Sequence, residues 1–233
     1  MKKKNTGKEV TKAVSLITLA DHKSPVSEQY RTIRTNIQFS MVDSNLKTIV
    51  VTSSGPGEGK SASSANLAVV FADTGLRVLL VDADLRKPTV AKTFALKNTQ
   101  GFSNLLVERE SNVREFTQSS GVKNLSILTS GPKPPNPSEL LGSKRMNDVI
   151  SQMEEEFDLI IFDMPPVVAV TDAQIMSSKA DGTVLVIREG VSNKPAMMKA
   201  KNLLEMVDAN VLGVIYNGAS RDVDQGYYYY YGV

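Results

Sequence analysis

The stretch that decides the fold lies at residues 49–61 and reads Ile49-Val50-Val51-Thr52-Ser53-Ser54-Gly55-Pro56-Gly57-Glu58-Gly59-Lys60-Ser61. Its apolar start predicts a buried strand, its glycines predict a tight turn, and the segment after Gly59 predicts a helix. Such a turn points successive backbone N–H groups at one anion, and the helix N-terminus adds positive potential. The context favours a P-loop, with Lys60 on the β- and γ-phosphates of a nucleotide and the Ser61 hydroxyl on Mg²⁺.

One position departs from the generic P-loop pattern G-x-x-x-x-G-K-[ST], because Ser54 stands where the first glycine would be. A glycine-rich turn beside an amphipathic helix is the structural alternative. We expect backbone N–H groups of residues 55–61 to hold the phosphates. The predicted nucleotide-binding residues of this stretch are Ser54, Gly55, Pro56, Gly57, Glu58, Gly59, Lys60, Ser61 and Ala62.

Acidic residues end two further apolar runs. Residues 78–84 read Val-Leu-Leu-Val-Asp-Ala-Asp, and residues 157–163 read Phe-Asp-Leu-Ile-Ile-Phe-Asp. Continuous apolar runs are typical of buried parallel strands, whose carboxyl ends bind ligands in open α/β sheets. Asp82, Asp84 and Asp163 are therefore predicted to meet a cation there, since buried carboxylates are costly without a partner. Capping or turn acids are the alternative at each position, and Asp172 is expected to cap the helix that follows it.

Strands and helices alternate from residue 46 to residue 217, which predicts a mostly parallel sheet with helices on both faces. Two details of the helical pattern matter below. A short helix is predicted over residues 113–118, and one helix is predicted from residue 137 to about residue 155. The last strand ends at Asn217, whose amide could pair with an adenine edge or simply close a turn.

Composition limits the classes of function. The chain has 233 residues, of which 41% are apolar and 22% charged, a length and balance that fit one soluble α/β domain. A net charge of +2 without a basic, aromatic-rich stripe argues against nucleic acid as a partner. The chain has no cysteine, which suits the cytosol, and no apolar run long enough to span a membrane. Membrane association would then require a partner or a surface patch.

The two ends of the chain carry distinct patterns. Residues 1–25 are predicted to form a basic N-terminal arm, residues 26–219 the domain, and residues 220–233 a flexible tail. On the first predicted helix, Glu28, Arg31 and Arg34 recur every three residues, which spacing alone attributes to an intrahelical ion-pair ladder. Five of the seven tyrosines stand in the tail, and the chain's own folding does not explain them. They are Tyr227, Tyr228, Tyr229, Tyr230 and Tyr231.

Taken together, these motifs resemble those of the bacterial tyrosine kinases that control capsular and exopolysaccharide synthesis. The resemblance is to the separately encoded cytoplasmic kinase subunit of Gram-positive bacteria, and it covers the chain from about residue 28 to residue 231. Residues 52–61 resemble Walker A, residues 82–86 Walker A′ and residues 162–166 Walker B. Ser54 is usual in that family. Glu28, Arg31 and Arg34 match its E-x-x-R-x-x-R oligomerisation motif. The resemblance therefore implies that these residues form an interface between the subunits of a ring.

The resemblance implies an α/β P-loop NTPase fold and transfer of the ATP γ-phosphoryl group to tyrosine, with ATP and Mg²⁺ as cofactors. Lys60 would neutralise charge on the phosphates, and Ser61 and Asp163 would set Mg²⁺, with Asp84 in its shell. Asp82 would orient the incoming tyrosine. The first substrate would be the tail of a neighbouring subunit, phosphorylated in trans.

The resemblance also implies partners and a place in the cell. A transmembrane adaptor would dock and activate the kinase, which would lie in the cytoplasm at the inner face of the membrane. Polysaccharide enzymes are possible further substrates. Two rival functions remain: a partitioning ATPase of the deviant Walker A group, which would carry a lysine where this chain has Gly55, and an ATP-binding scaffold that presents phosphotyrosines.

Overall fold

The fold is built on one sheet, seen in a computed structural model that describes residues 13–42 and 46–219. Within these ranges seven strands pair in the order β3-β4-β2-β5-β1-β6-β7. The strands are β1 (Thr48–Ser53), β2 (Val78–Asp82), β3 (Thr117–Ser119), β4 (Leu125–Leu128), β5 (Leu159–Asp163), β6 (Gly182–Arg188) and β7 (Val211–Asn217). Every pair is parallel except β3 with β4. The mostly parallel sheet is therefore confirmed.

Helices cover both faces of this sheet, as the alternating pattern predicts. In the described ranges they are α1 (Ile17–Ala20), α2 (Pro25–Val42), α3 (Lys60–Ala72), α4 (Val90–Thr93), α5 (Phe102–Val107), α6 (Val113–Phe116), α7 (Pro137–Gly142), α8 (Lys144–Glu156), α9 (Asp172–Ser177) and α10 (Lys194–Glu205). Two apolar clusters result. One joins α2 and α3 to Ile49 and Val51 of β1, whereas the other joins α5 and α8 to Val50. Side chains alternate along each strand, so apolar runs supply both clusters.

Strand order places the acid-ended strands beside the P-loop. β5 lies between β1 and β2, so the carboxyl ends of all three meet at one edge of the sheet. Asp163 pairs in register with Asp82 on one side and with Val51 on the other. The turn that follows β1 then leads directly into α3. This edge is where open α/β sheets bind ligands.

Two predicted helices are wrong in detail. The helix expected over residues 137–155 is divided at Ser143, which ends α7 and caps α8 by accepting a hydrogen bond from the Met146 N–H. The helix expected over residues 113–118 ends at Phe116, because residues Thr117–Ser119 pair with β4. Both differences arise from hydrogen bonds that local apolar spacing does not encode.

The described part of the predicted N-terminal arm packs against the domain. Thr18 is buried, and its N–H and hydroxyl both donate to Asn66 Oδ1 on α3, at 3.1 and 2.8 Å. The Asn66 amide in turn donates to Ser15 O. Residues 1–12 of the arm and the tail from residue 220, with its five tyrosines, lie outside the described residues. The boundaries at residues 25 and 219 stay predictions.

Candidate active site

The P-loop begins where β1 ends and is shaped by two glycines in the left-handed region. Gly57 has a φ of +78° and Gly59 a φ of +96°, and Gly59 immediately precedes α3. A Cβ atom at Gly59 would lie 2.1 Å from the Asn217 amide nitrogen, so a side chain there would strain the backbone and displace Asn217. That amide donates to Glu58 O at 3.1 Å. Asn217 therefore lies against the P-loop, and its proposed pairing with adenine stays a prediction.

Glu58 has a role that the sequence pattern did not reveal. Its buried carboxylate accepts hydrogen bonds from the Ser54 hydroxyl at 2.6 Å, the Gly55 N–H at 2.8 Å and the Ser192 hydroxyl at 2.5 Å. Ser54 thus uses its hydroxyl inside the loop, which explains why the generic glycine is absent. The Gly55 N–H, expected to hold phosphate, is already used in this way. Ser192 comes from the loop between β6 and α10, and no sequence signal marks it.

Lys60 and the strand-end acids form one cluster, as predicted. Lys60 Nζ donates to Asp84 Oδ2 at 2.9 Å, lies 3.6 Å from Asp163 Oδ1 and contacts the Ser61 hydroxyl at 3.2 Å. Asp82 accepts hydrogen bonds from the Thr89 and Val90 N–H groups, at 3.0 and 2.9 Å. The start of α3 and the carboxyl ends of β2 and β5 therefore bring Lys60, Ser61 and the three acids together.

Two acids of this cluster each have a buried carboxylate oxygen that accepts no hydrogen bond in the described part of the chain. Asp82 and Asp163 are fully buried, and within the described ranges Asp82 Oδ1 and Asp163 Oδ2 have no hydrogen-bond partner. Burial, together with the charge of Asp163, raises the pKa of Asp82 to about 8. Burial also raises the pKa of Asp163. Burial alone would lower the pKa of Lys60, but the charges of Asp163 and Asp84 outweigh it and raise that pKa. Buried carboxylate oxygens without partners are costly, so the two acids mark a candidate ligand site.

The cluster fits Mg²⁺ held together with a phosphate ligand. Among residues 13–42 and 46–219, no group of three or more His, Cys, Asp or Glu side chains is arranged to hold a metal by itself. Mg²⁺ is commonly bound through one or two carboxylates, water and substrate phosphates, so a partial protein set beside a P-loop suits it. Ser61, Asp84 and Asp163 supply oxygen ligands of the right chemistry, and the free oxygen of Asp163 is the observation that favours the fit.

Comparisons with known proteins agree on one family. The AAA domain family matches residues 46–210. Tyrosine-protein kinase YwqD of Bacillus subtilis is 49% identical, over 97% of this chain and 95% of its own length. Tyrosine-protein kinase CpsD of Streptococcus pneumoniae is 37% identical over 88% and 90%. The chain belongs to the bacterial tyrosine-protein kinases.

Solved structures support this kinase assignment. The kinase domain of the Escherichia coli tyrosine kinase ETK is 30% identical with a TM-score of 0.85, over 91% of this chain and 83% of that one. The septum site-determining protein MinD of Pyrococcus horikoshii, complexed with Mg-ADP, has a TM-score of 0.63 at 22% identity, over 75% of this chain and 72% of that one. At this level of identity, the similarity to MinD supports the P-loop NTPase fold and nothing about function. Fold and kinase relatives together imply nucleotide binding with Mg²⁺ in general terms.

Asp172 was expected to cap the helix that follows it, and this prediction is wrong for the kinase. Thr171 precedes α9, and no side-chain hydrogen bond caps the helix. The Asp172 carboxylate is fully buried and accepts two hydrogen bonds from Arg86, at 2.8 and 2.9 Å, and one from Ser138 at 2.6 Å. Arg86 follows the acid pair in sequence, but its partners are 52 and 86 residues away.

The predicted oligomerisation residues of the kinase are partly used within the chain. Arg31 pairs with Glu28 and also donates to His22 O at 2.8 Å. Arg34 donates to Val70 O on α3 at 3.1 Å, so it helps to attach α2 to the domain. The predicted intrahelical ion pair therefore forms between Glu28 and Arg31 but does not include Arg34. The ring interface stays a prediction.

In the part of the kinase chain that the structure describes, no helix has both the length and the apolarity needed to cross a membrane.

Proposed function

We propose that this kinase transfers the ATP γ-phosphoryl group to its own C-terminal tyrosines, in trans between neighbouring subunits, and thereby regulates capsular or exopolysaccharide synthesis. The observation that carries the proposal is the buried cluster of Lys60 with Asp84 and Asp163 beside the P-loop. A lysine held among acids with unmet oxygens is arranged for a ligand that brings both negative charge and a cation. Mg-ATP has that combination.

The reaction consists mainly of positioning and charge stabilisation. The N–H groups of residues 57–61 would hold the phosphates, with Gly55 now assigned to bracing the loop through Glu58. Lys60 would exchange its contact with Asp84 for the phosphates. Ser61 and Asp163, with Asp84 beside them, would hold Mg²⁺, which when bound neutralises phosphate charge. Asn217 is the proposed adenine contact, through the part of its amide that Glu58 O does not occupy.

Asp82 is the proposed residue that receives the tyrosine hydroxyl. Its Oδ2 is occupied by two backbone N–H groups, whereas its Oδ1 has no partner within the described ranges. A pKa of about 8 gives the ionised carboxylate a higher proton affinity than that of an ordinary aspartate, although without ligand most molecules carry a proton here at neutral pH. A phenol has a pKa of about 10, so Asp82 would orient the hydroxyl and accept its proton as transfer proceeds.

The tail and helix α2 provide the regulation in this proposal. Tyr227, Tyr228, Tyr229, Tyr230 and Tyr231 would be the acceptors. Each phosphate adds about −1.5 to −2 charges, so several on adjacent residues would repel one another and dissociate a ring held through Glu28, Arg31 and Arg34. Light scattering tests this switch: a fully phosphorylated sample that keeps the mass of the unphosphorylated ring would contradict it.

A transmembrane adaptor of the polysaccharide co-polymerase type would recruit the kinase to the inner face of the cell membrane and activate it. Support comes from the relatives CapB and EpsB, both putative tyrosine-protein kinases, and from the chimerical protein CapA2B2, whose solved structure resembles this chain. Polysaccharide enzymes are the proposed further substrates in trans. A membrane-flotation assay with and without the adaptor's cytoplasmic segment tests recruitment.

The deciding experiment incubates the wild-type protein and a Lys60→Met variant with ATP and Mg²⁺, with and without that adaptor segment. Mass spectrometry then maps phosphotyrosine. We expect tail phosphate in the wild type and at least about 100-fold less in the variant, since Lys60 supports the transferred charge. A Lys47→Met variant is the matched control, because Lys47 Nζ donates to Glu154 O at the opposite end of the sheet.

The same experiment separates the alternatives. ATP hydrolysis without tail phosphate under any condition would favour the partitioning-type ATPase, although Gly55 lacks the additional lysine of that group. Equal phosphorylation of wild type and Lys60→Met would point to another kinase and to the scaffold function.

A further inference from the structure

The loop between β2 and α4, residues 83–89, orients both candidate catalytic carboxylates. The Arg86 and Lys87 N–H groups donate to Asp84 Oδ1, at 3.3 and 2.9 Å. Beyond them, the Thr89 N–H, at the end of the loop, donates to Asp82 Oδ2 at 3.0 Å. Hydrogen bonds to a carboxylate fix its rotamer as well as its charge. The directions in which Asp82 and Asp84 point therefore depend on the shape of this loop.

In the middle of the loop, the Arg86 side chain connects the backbone to the starts of α7 and α9, while Leu85 beside it is buried in the apolar core. Arg86 Nε donates to Asp172 Oδ2 at 2.8 Å, and its Nη2 donates to Asp172 Oδ1 at 2.9 Å. Nη2 also donates to the Ser138 hydroxyl at 3.1 Å. The two parallel bonds to one carboxylate form a bidentate pair, which constrains the guanidinium plane more tightly than a single contact.

Asp172 is itself held rigidly. It is fully buried, and the Ser138 hydroxyl donates to its Oδ1 at 2.6 Å. Thr171, the residue before it, donates from its hydroxyl to Ser138 at 3.3 Å. Three regions that are distant in sequence, the β2–α4 loop and the starts of α7 and α9, therefore converge on one carboxylate. A buried carboxylate that neither caps its helix nor contacts the Lys60 cluster needs another reason to be there.

We propose that Asp172 is a positioning residue, which acts through Arg86 to hold the β2–α4 loop in the shape that directs Asp84 and Asp82 at the reacting phosphoryl group. The inference rests on the proposed function for the roles of Asp82 and Asp84. Ser138 completes the contact by fixing the Asp172 carboxylate. Loss of the pair is expected to disturb catalysis more than nucleotide binding, because the P-loop has its own brace at Glu58.

The test compares Asp172→Asn and Ser138→Ala with the wild type in two measurements. In the nucleotide-free protein, amide hydrogen exchange is followed at residues 86–90. We expect at least about tenfold faster exchange in Asp172→Asn and a smaller increase in Ser138→Ala, since the loop loses its anchor. In the kinase assay, we expect kcat to fall about 10- to 100-fold in Asp172→Asn, with the KM for ATP within about threefold.

Two further variants test whether Asp172 acts through Arg86. Arg86→Lys keeps the charge but loses the bidentate fork, so it should reproduce part of the kcat loss. Combining it with Asp172→Asn should cost less than the product of the two single losses, because both act through one contact. If Asp172→Asn does not fold, Ser138→Ala and Arg86→Lys decide the question with the same two measurements.

The control is Asp158→Asn, which removes the charge from another arginine–aspartate pair, at the other end of the sheet. Arg77 donates from Nε and Nη2 to Asp158 Oδ1, at 3.2 and 2.6 Å. We expect its kcat to equal that of the wild type. Unchanged exchange at residues 86–90, or a kcat loss that Asp158→Asn shares, would overturn the inference. If the wild type phosphorylates no tyrosine, the proposed function fails, and the exchange data alone still decide whether Asp172 holds the loop.

Discussion

The two ends of the sheet use the same residue type for opposite purposes. At the amino end, Asp181 Oδ2 accepts hydrogen bonds from the Lys47 N–H, the Thr48 N–H and the Thr48 hydroxyl, all within 2.9 Å. Asp158 pairs with Arg77, whose hydrogen bonds lower the pKa of that carboxyl. At the carboxyl end, Asp82 and Asp163 are buried, each with an oxygen that has no partner in the described ranges, and their pKa values are raised.

The difference lies in what each carboxylate does for the free energy of folding. An acid whose oxygens accept several donors near solvent stabilises a turn. A buried acid with an orphaned oxygen costs free energy until a ligand arrives. Natural proteins keep such unfavourable groups chiefly where function requires them. The contrast therefore separates the functional end of this sheet from the structural end without reference to any relative.

The strongest test of that contrast is a matched pair of substitutions. Asp163→Asn should lower tyrosine phosphorylation by about 100- to 1,000-fold, because it removes a charge beside Lys60 and the proposed Mg²⁺ ligand. Asp181→Asn should leave activity within about twofold, since an amide oxygen can still accept the same donors. Initial rates at saturating Mg-ATP measure both. Comparable losses in the two variants would contradict the division between the ends.

The pH dependence of stability distinguishes the two ends by sign. The pKa of Asp82 is about 8 in the folded protein and about 3.9 in an unfolded chain. Between these values the folded protein keeps a proton that the unfolded chain loses, so this contribution declines as the pH rises, by up to about 1.4 kcal/mol per pH unit. Without nucleotide and Mg²⁺, Asp82→Asn should gain stability relative to the wild type from pH 5 to pH 8 in urea titrations.

Asp158→Asn provides the opposite case for the same titrations. Because the folded pKa of Asp158 is lowered, its contribution is complete above the unfolded value and is lost only as the pH falls through the folded value. Its difference from the wild type should therefore stay flat from pH 5 to pH 8. A flat difference for Asp82→Asn as well would show that its buried carboxyl does not retain a proton.

The brace inside the P-loop should have an intermediate effect. Glu58→Gln places an amide group against the Gly55 N–H, so one of three accepted bonds becomes a donor–donor contact. We expect about tenfold weaker ATP binding, and about threefold for Ser192→Ala, which removes one hydroxyl donor. Fluorescent nucleotide titration measures both variants. Wild-type affinity in Glu58→Gln would mean that the loop keeps its shape without the carboxylate.

The smallest effect is expected at the amino end, from Asp158→Asn. The Asp158 side chain is 36% exposed and that of Arg77 is 58% exposed, so solvent screens the pair. Stability should fall by less than about 1 kcal/mol, and the loss should shrink at high salt. Urea titration at two ionic strengths checks this. A salt-independent loss of several kcal/mol would give this end more energetic importance than its exposure implies.

Much of the candidate site was predictable because its chemistry is local in sequence. A strand, a glycine turn and Lys60-Ser61 stand within 13 residues, and apolar runs that end in Asp82 and Asp163 mark strand termini. Spacing alone could not find the brace between Glu58 and Ser192, which are separated by 134 residues. It also assigned Asp172 to a helix cap, because aspartate is among the residues preferred at that position.

The sequence by itself determined the sheet, the P-loop and the identity of the acids, since period, turn chemistry and strand-end residues act over short distances. Tertiary structure alone decided the order β2-β5-β1, which places Asp163 beside both Asp82 and the turn after β1. It also decided that Arg34 attaches α2 to α3 and that Arg86 reaches Asp172. These choices depend on burial and on partners distant in the chain, which a linear pattern does not contain.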